Sequence, residues 1–343
     1  MSLYRLRRTR SSRLTLTTPD GQTLVAENLS GDTGFAMSFE AKRTMDENPG
    51  EYSAVAWNLP ADVLEGLEAA QGRRINDPDR ILVDEVLRDV GVPPDGSAAL
   101  EGGWLVAEFE AGYDGVVSRV FRGIGARIST ERVDDGCTTE SRISIVENLD
   151  AILLGDGERS FPPGASTFEL VDYLRGIAGL GPGNLTPALL TALLGESKLS
   201  SGYHCAGGQA LTRLKSVLEY LPLRWFVDDR ELWICGRDGV PNAGGVPAYV
   251  PDEIGEPDIL LSRPRRVDGG MISAECFLCP RLRVGRLVNL TEAGLALALQ
   301  GLSPSEQAIA YAEVPPGLYR LDEVTHDGSW TTRMMLRPGV AML

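Results

Sequence analysis

The chain has 343 residues and a mass of 37.0 kDa, enough for about two or three domains that each bury a core of their own. Hydrophobic residues make up 43% and charged residues 24%, a composition that excludes a disordered or collagen-like chain. The 33 basic and 48 acidic residues give a formal net charge of -15, which argues against sequence-independent binding to DNA or RNA.

The cysteines and the hydropathy pattern indicate a chain from a reducing compartment that does not enter a membrane. An odd number of scattered cysteines favours free thiols over a disulfide framework. They are Cys137, Cys205, Cys235, Cys276 and Cys279. No stretch approaches the ~18 uncharged apolar residues of a transmembrane helix. The arginines before Leu14 are followed by an alternating strand pattern, so the sequence predicts neither a cleaved signal peptide nor membrane insertion.

The first 150 residues predict strands with a helical insertion. Helices are expected after Pro60 and from Asp79 to about Val90. The turn signal Pro19-Asp20-Gly21 indicates a hairpin near the start. Alternating apolar and polar residues predict strands at 14–18, 23–26, 35–39, 52–57, 104–109, 116–121 and 142–146.

The section from 151 to 256 changes to a helical period and predicts a small α+β unit. Capping residues and apolar spacing predict helices at 166–179, 186–195 and 209–221. A tight turn at Asp228-Asp229-Arg230 then joins strands at 223–227 and 231–235.

From 257 onward the pattern returns to strands. A helical insertion is expected at about 292–312. A final hairpin pairs 318–325 with 330–336 across Asp327-Gly328. Earlier strands are predicted at 259–261, 271–277 and 282–290. The order along the chain is therefore β-rich, α+β and β-rich.

The residue types that catalysis needs are scarce in this sequence. A nucleophile–histidine site would have to use His204 or His326, the two histidines of the chain. His204 adjoins Cys205, but neighbours in a strand point to opposite faces. We therefore interpret Cys205 as a small buried thiol.

Motifs for metals and phosphates are incomplete. Cys276 and Cys279 have the spacing of half a zinc site, without a second pair. Gly179–Gly183 has the composition of a phosphate loop but lacks its Lys-Ser/Thr ending. Asp134-Asp135 and Asp228-Asp229 lie in predicted turns, where aspartate bonds its own backbone. The sequence thus predicts no catalytic, cofactor-binding or metal-binding residue, no cofactor and no enzyme.

Several local patterns follow one another over most of the chain. They are a strand ending in Trp57-Asn58-Leu59 before a helix, two strands from Val106 to Ile124 around Gly112-Tyr113, the pair Leu223–Val227 and Leu232–Ile234, and the terminal hairpin Gly317–Thr332. In this order the chain resembles the baseplate hub proteins of contractile-tailed phages, the Mu-like tail hub group. The helical stretches at 60–90 and 292–312 are longer than in the simplest members of that family.

The resemblance implies an α+β fold that is mainly β. Two tube-like antiparallel β-barrel domains, at 1–150 and 257–343, would flank a small α+β domain at 151–256, with helical insertions. The barrels would be related by an internal duplication, so that a homotrimer would form a ring with pseudo-sixfold symmetry. Such a ring can join a sixfold tail tube to a threefold central spike.

The same resemblance implies the partners and the location. They are the tail tube or a tube-initiator protein, the central spike protein, the surrounding baseplate wedge proteins and the tape measure protein. DNA would be passing cargo in a conduit, and an acidic lumen would repel it, although the acidic residues can equally cover a solvated outer surface. The protein would be assembled in the host cytoplasm and reside in the tail baseplate of the virion.

Two other functions remain open at this point. A tail-associated cell-wall hydrolase would need a catalytic domain beyond the hub core. A β-rich module that binds a host glycan would expose aromatic residues on loops, whereas the tryptophans fall in predicted strands and are assigned to packing. They are Trp57, Trp104, Trp225, Trp233 and Trp330. For the hub, we expect the edge strands 35–39 and 318–325 to form subunit contacts.

Overall fold

The computed structural model describes most of the chain. Several predictions lie outside the described residues: the helix from Asp79, Trp104, Asp134-Asp135, Cys137 and Asp229. The described residues are 9–18, 21–29, 36–45, 50–72, 105–133, 138–147, 157–195, 198–205, 210–228, 230–237, 239, 242–243, 246–247, 252–254 and 260–338.

Strands dominate these residues, as the alternating apolar pattern predicts. The strands are β1 (Arg10–Thr17), β2 (Thr23–Asn28), β3 (Ala36–Thr44), β4 (Glu51–Trp57), β5 (Val106–Tyr113), β6 (Val116–Val133), β7 (Thr138–Val146), β8 (Arg159–Phe161), β9 (Tyr203–Cys205), β10 (Leu223–Asp228), β11 (Glu231–Gly236), β12 (Asn242–Ala243), β13 (Val246–Pro247), β14 (Asp252–Ile254), β15 (Arg265–Arg266), β16 (Ile272–Phe277), β17 (Leu287–Leu290), β18 (Gly317–Asp327) and β19 (Thr331–Arg337). The helices are α1 (Ala61–Gly72), α2 (Thr167–Ile177), α3 (Pro187–Leu194), α4 (Ala210–Glu219), α5 (Glu292–Ala298) and α6 (Pro304–Glu313). The predicted class, α+β and mainly β, is confirmed.

Thirteen of the strands form one hydrogen-bonded sheet within the described part of the chain. Its main path runs β15-β16-β19-β18-β3-β4-β7-β6-β5-β1-β2, while β17 pairs with β18 and β14 pairs with β17. Neighbouring strands are antiparallel, as predicted, except for the parallel pair β14–β17. The hairpins β8–β9, β10–β11 and β12–β13 stand apart from this sheet.

Strand β18 connects the two β-rich parts of the chain. Its residues 317–320 pair with β17, and its residues 323–327 pair with residues 40–44 of β3. From Arg320 onward, β19 lies along its other side. The expectation that 318–325 is an edge strand is therefore wrong, because from Arg320 onward neighbouring segments lie on both of its sides. Its part in subunit contacts stays a prediction. Among the described strands, residues 36–39 of β3 pair with β4 alone.

Three hydrophobic clusters lie inside the fold. The first contains Leu14, Phe109 and Phe121 of the N-terminal strands, and Trp330 from the β18–β19 turn packs into it. The second lies between α2, α4 and the hairpin β10–β11. The third surrounds β16–β19 and takes in Met45, next to β3. Burial of a large apolar side chain contributes about 1.5–3 kcal/mol to the free energy of folding. Trp330 and Met45, which pack into clusters formed mainly by other parts of the chain, therefore help to hold those parts together.

The predicted starts of the helices at 166 and 186 are confirmed by their caps. The Ser166 hydroxyl accepts a hydrogen bond from the Phe168 N–H at 3.2 Å, at the start of α2. The Thr186 hydroxyl accepts one from the Leu189 N–H at 3.1 Å, at the start of α3. Gly195 follows α3 with φ 72, a conformation that glycine adopts without strain.

Some predicted bounds are wrong. The strand predicted at 282–290 begins only with β17, because Gly285 adopts φ 78 in a turn before it. Trp330 lies in the turn between β18 and β19 with φ 65, and not in a strand. There the Asp327 carboxylate accepts a hydrogen bond from the Ser329 N–H at 3.0 Å, which fixes a longer turn than the sequence predicts.

Two further regions differ from prediction in detail. Of the strand predicted at 259–261, residue 259 lies outside the described residues, and Leu260 forms an isolated bridge with Cys276. The helical insertion predicted at 292–312 is two helices, and Ser303 and Glu306 form a capping box at the start of α6. In the described residues, no helix combines the length and the apolar character of a membrane span.

Gly285 leaves no room for a side chain. A Cβ added there would overlap the ring of Phe226, and the residue has φ 78. We expect Gly285→Ala to lower the free energy of unfolding by about 2 to 4 kcal/mol through strain and overpacking. Gly164→Ala is the matched control, because Gly164 has φ 84 in open space and carries only the backbone share of about 1–2 kcal/mol. Equal losses in denaturant titrations would contradict the packing role.

Candidate functional site

A buried cluster of ionic side chains joins strands from different parts of the chain. We call Arg43, Tyr52, Glu147 and Asp228 the Arg43 cluster. The Arg43 guanidinium donates to Glu147 Oε1 at 3.0 Å and to Asp228 Oδ1 at 3.2 Å. It also donates to the Tyr52 hydroxyl, which in turn donates to Glu147. Asp228 ends β10, so this cluster fastens the middle unit to β3, β4 and the end of β7.

Burial and charge oppose each other in the Arg43 cluster. The side chains of Arg43, Glu147 and Asp228 are only 13%, 9% and 10% exposed. Burial raises the pKa of Glu147, and the charge of Arg43 opposes this rise. Burial alone would lower the pKa of Arg43, but the charges of Glu147 and Asp228 and the hydrogen bond to Tyr52 raise it overall. Burial also raises the pKa of Tyr52 well above its usual value, which keeps the phenol protonated as a donor.

A second cluster surrounds Arg320 in β18, and we call Arg320, Asp322, Arg337 and Arg224 the Arg320 cluster. Arg320 Nε donates to Asp322 Oδ1 at 2.7 Å, and the same carboxylate accepts from Arg337 Nε at 2.7 Å. Arg224 of β10 reaches Asp322 at 3.6 Å. Asp322 sits at the register shift of β18, where that strand changes its partner from β17 to β3.

The Arg320 guanidinium also serves the backbone of the middle unit. It donates to the carbonyl of Arg237 at 3.2 Å and to that of Gly239. The Arg320 side chain is fully buried. Because charged donors form strong hydrogen bonds to carbonyls in a dry setting, this arginine anchors the end of β11 on β18.

Arg283 links the C-terminal strands to β6 through hydrogen bonds to its backbone. The β5–β6 pairing shifts register between Phe109 and Glu110, so Val120 has no opposite residue in β5. Arg283 donates to the carbonyl of Val120 at 3.1 Å and to that of Arg119 at 2.8 Å. The bulge thus presents carbonyls to an arginine from the turn that precedes β17.

The two histidines lie in different parts of the fold and do not form one site. His326 is buried in β18, and its Nδ1 lies 2.9 Å from the Thr332 hydroxyl. Its pKa falls to about 3, because burial and then the charges of Arg283 and Arg43 disfavour the imidazolium. A histidine that stays neutral and buried in this way serves packing and hydrogen bonding.

His204 is exposed on β9, while Cys205 is buried, so the prediction that they face opposite ways is confirmed. The partner of His204 is Ser160, whose hydroxyl lies 2.9 Å from Nδ1, and Glu158 lies 3.8 Å from Nε2. This group could not be predicted from the sequence, because Ser160 and His204 come together only through the pairing of β8 with β9. All three side chains face water, without the enclosure that nucleophilic catalysis uses.

The other predicted motifs are packed into the fold. Burial raises the pKa of the Cys276 thiol well above its usual value, which keeps the reactive thiolate from forming. Cys276 lies in β16, whereas Cys279 lies beyond the end of that strand. The Gly181 N–H donates to the Arg230 carbonyl at 2.7 Å, which holds the glycine loop on the β10–β11 hairpin. Among the described residues, no three His, Cys, Asp or Glu side chains are grouped to hold a metal.

Asp228 is where the sequence prediction is most clearly wrong. The sequence places it in a turn, where its carboxylate would bond the local backbone. The structure places it at the end of β10, buried and paired with Arg43. A signal for Arg43 exists in the sequence, because it continues the inward-facing series Phe39 and Ala41 of β3.

The fold is mainly β, its parts are joined by the buried ionic clusters, and His204 and His326 lie apart. The chain is similar in structure to the 43 kDa tail protein of prophage MuSo2 from Shewanella oneidensis, with a TM-score of 0.50 and 11% identity over 96% of this chain and 98% of that chain. It is also similar to the tail protein from Neisseria meningitidis MC58, with a TM-score of 0.50 and 9% identity over 96% and 97% of the two chains. No protein-family model matches the sequence, and no curated protein sequence matches it. At these identities the similarity establishes a shared fold, and the tail-protein fold that the resemblance implied is confirmed.

Proposed function

We propose that the protein is a structural component of a phage tail and forms its baseplate hub. The observation that carries this proposal is the similarity to two tail proteins over 96% of this chain and nearly all of theirs. The Arg43 and Arg320 clusters support it, because they tie the units into one body, as a part that transmits force requires. The role is mechanical and does not involve catalysis.

In this proposal three copies form a ring with pseudo-sixfold symmetry. Two tube-like β domains, at 1–150 and 257–343, alternate around the ring and flank the α+β domain at 151–256. The three hydrophobic clusters support this division, because most residues of each cluster fall within one of these ranges. The pairing of β18 with β3 supports a rigid ring segment, because both β domains then share one sheet.

The ring joins a sixfold tail tube, or its initiator protein, to a threefold central spike and provides a conduit for DNA. Wedge proteins of the baseplate surround it, and the tape measure protein is a further partner. The net charge of -15 supports passage of DNA without binding, since acidic residues at the lumen repel the phosphates. The protein is assembled in the host cytoplasm and resides in the virion tail.

The two other candidate functions gain no support from the described residues. A glycan-binding module would expose its aromatic residues, but Trp225 and Trp330 are buried, and Trp57 and Trp233 are half-buried. A hydrolase would need its catalytic groups together, whereas His204 and His326 lie in separate units.

The test is the native mass of the purified full-length protein by light scattering, with negative-stain images of the same peak. We expect a mass of three chains of 37.0 kDa each and a ring with an open centre. Co-expression with the spike protein of the same tail is the second arm, for the case in which the trimer forms only on its partner. A monomer in both arms would refute the hub proposal.

A further inference from the structure

An open cleft of about 400 Å³ lies beside the edge strand β15. It is lined by Arg263, Arg265, Arg266 and Glu313. Three arginines in one short segment stand out in a chain with 33 basic and 48 acidic residues. Neither the ionic clusters nor the proposed ring uses them.

The three arginines differ in how they are held. Arg263 donates through a terminal nitrogen to Glu313 Oε2 at 2.7 Å, while its buried Nε has no hydrogen-bond partner in the described part of the chain. Arg265 and Arg266 pair through their backbones with Ser273 and Ile272 of β16 and are exposed. The cleft therefore presents two accessible cations and a third that is paired with Glu313.

Glu313 occupies an unfavourable position. It is the last residue of α6, where the helix dipole presents partial negative charge and disfavours a carboxylate. Arg263 offsets this effect by pairing with it, and the Glu313 side chain is 47% exposed. Another carboxylate that does not lie at the end of a helix can therefore displace Glu313 from the Arg263 guanidinium.

We propose that this cleft binds the carboxylates of an acidic segment from another protein chain, and that Glu313 occupies the Arg263 guanidinium until that segment arrives. Guanidinium groups match planar carboxylates through paired hydrogen bonds. Strand β15 ends the described sheet, so an extended peptide can pair with its backbone and direct alternate side chains toward the arginines. DNA is disfavoured, because a sugar–phosphate backbone cannot add a strand to the edge of β15 as a peptide can.

The test measures fluorescence anisotropy of a labelled oligoglutamate peptide titrated with the full chain. We expect saturable binding that weakens with added salt, because the two outer arginines are exposed. Arg265→Glu with Arg266→Glu should weaken binding about tenfold or more, the effect of losing one or two charge-assisted contacts. Arg132→Glu is the single-site charge-reversal control, since Arg132 is exposed on β6, which does not pair with β15 or β16, and its affinity should stay within about twofold.

Glu313→Gln provides the opposite expectation. It frees the Arg263 guanidinium, so affinity for the peptide should rise by about threefold or more, as for the gain of one charge-assisted contact. Thermal unfolding of each variant checks the fold, and Arg265→Gln with Arg266→Gln replaces the charge reversal if that pair unfolds.

Four outcomes would overturn the proposal. Peptide binding that survives the arginine replacements would place the site elsewhere. A loss of binding free energy in Arg132→Glu that is half that of the double variant or more would mean that the peptide senses only overall charge, because the single variant changes the net charge half as much. Tighter binding of a single-stranded oligodeoxynucleotide than of the peptide, lost in the same variants, would assign the cleft to phosphates. Unchanged or weaker binding by Glu313→Gln would remove Glu313 from the mechanism.

Discussion

Replacing Arg43 by methionine should lower the free energy of unfolding by about 3 to 5 kcal/mol, because it leaves two buried carboxylates without their cation. The Glu147 and Asp228 side chains are 9% and 10% exposed, so water cannot take over the role of the guanidinium. Urea titration followed by circular dichroism measures the change. Arg43→Lys, which keeps the charge but not the planar fork, should lose less.

The pH dependence of this variant is a sharper test. The charge of Arg43 lowers the pKa of Glu147, so its removal raises that pKa further above the unfolded value. The folded state then takes up a proton more readily than the unfolded state. The difference in the free energy of unfolding between Arg43→Met and the wild-type protein should therefore become smaller as the pH falls from about 7 to about 5.

Two controls separate this effect from a general loss of charge. Arg333→Met removes an arginine that is 59% exposed and pairs with Asp327, and it should leave the free energy of unfolding almost unchanged. Arg43→Met with Glu147→Gln should lose less than the sum of the single changes, because the two residues are in contact. Additive losses or a deficit independent of pH would contradict the assignment of an ion cluster.

Arg320→Met should also lower the free energy of unfolding by ~3 to 5 kcal/mol. In addition, it should loosen the hairpin β10–β11 within the folded protein. The change leaves Asp322 with fewer cations and removes the donor to the carbonyls of Arg237 and Gly239. The end of β11 then loses its anchor on β18. Hydrogen exchange should accelerate first in the hairpin β10–β11, and only later in the N-terminal strands.

A matched control for Arg320 exists on the same strand pair. Arg337→Met removes one of the other cations on Asp322 from a side chain that is 25% exposed, and it leaves the Arg237 and Gly239 carbonyls bonded. The backbone amides of the hairpin β10–β11 should exchange almost as slowly in Arg337→Met as in the wild-type protein. Equal acceleration in both variants would mean that Arg320 acts only through Asp322.

Local structure followed from the sequence where the signal was local. Leu14 and Leu16 alternate with polar residues and lie inside β1, and Thr186 begins α3 as its cap. Gly285 and Trp330 interrupted the strands predicted around them. Both adopt positive φ. Distant parts of the chain contribute contacts to both turns, since the Gly285 N–H donates to the Leu321 carbonyl at 2.7 Å and Trp330 packs against the N-terminal strands.

The ionic joints could be predicted only in part. The inward series Phe39, Ala41 and Arg43 indicates a charge in the core, but its partners lie 104 and 185 residues away. No local pattern encodes such distances, because they depend on how β3, β7 and β10 come together. The placement of Asp322 at a register shift has the same origin, since that shift exists only once β18 has two partners.

The pairing of β18 with β3 also bears on synthesis of the protein. Glu323 pairs with Thr44, and Asp327 pairs with Glu40, so the second half of β3 stays an open edge until β18 has left the ribosome. Pairings of such large sequence separation form slowly, and open edges favour aggregation in the interval. Truncated chains without β18 would keep that edge exposed, which makes them substrates for chaperones and proteases before they can enter a larger structure.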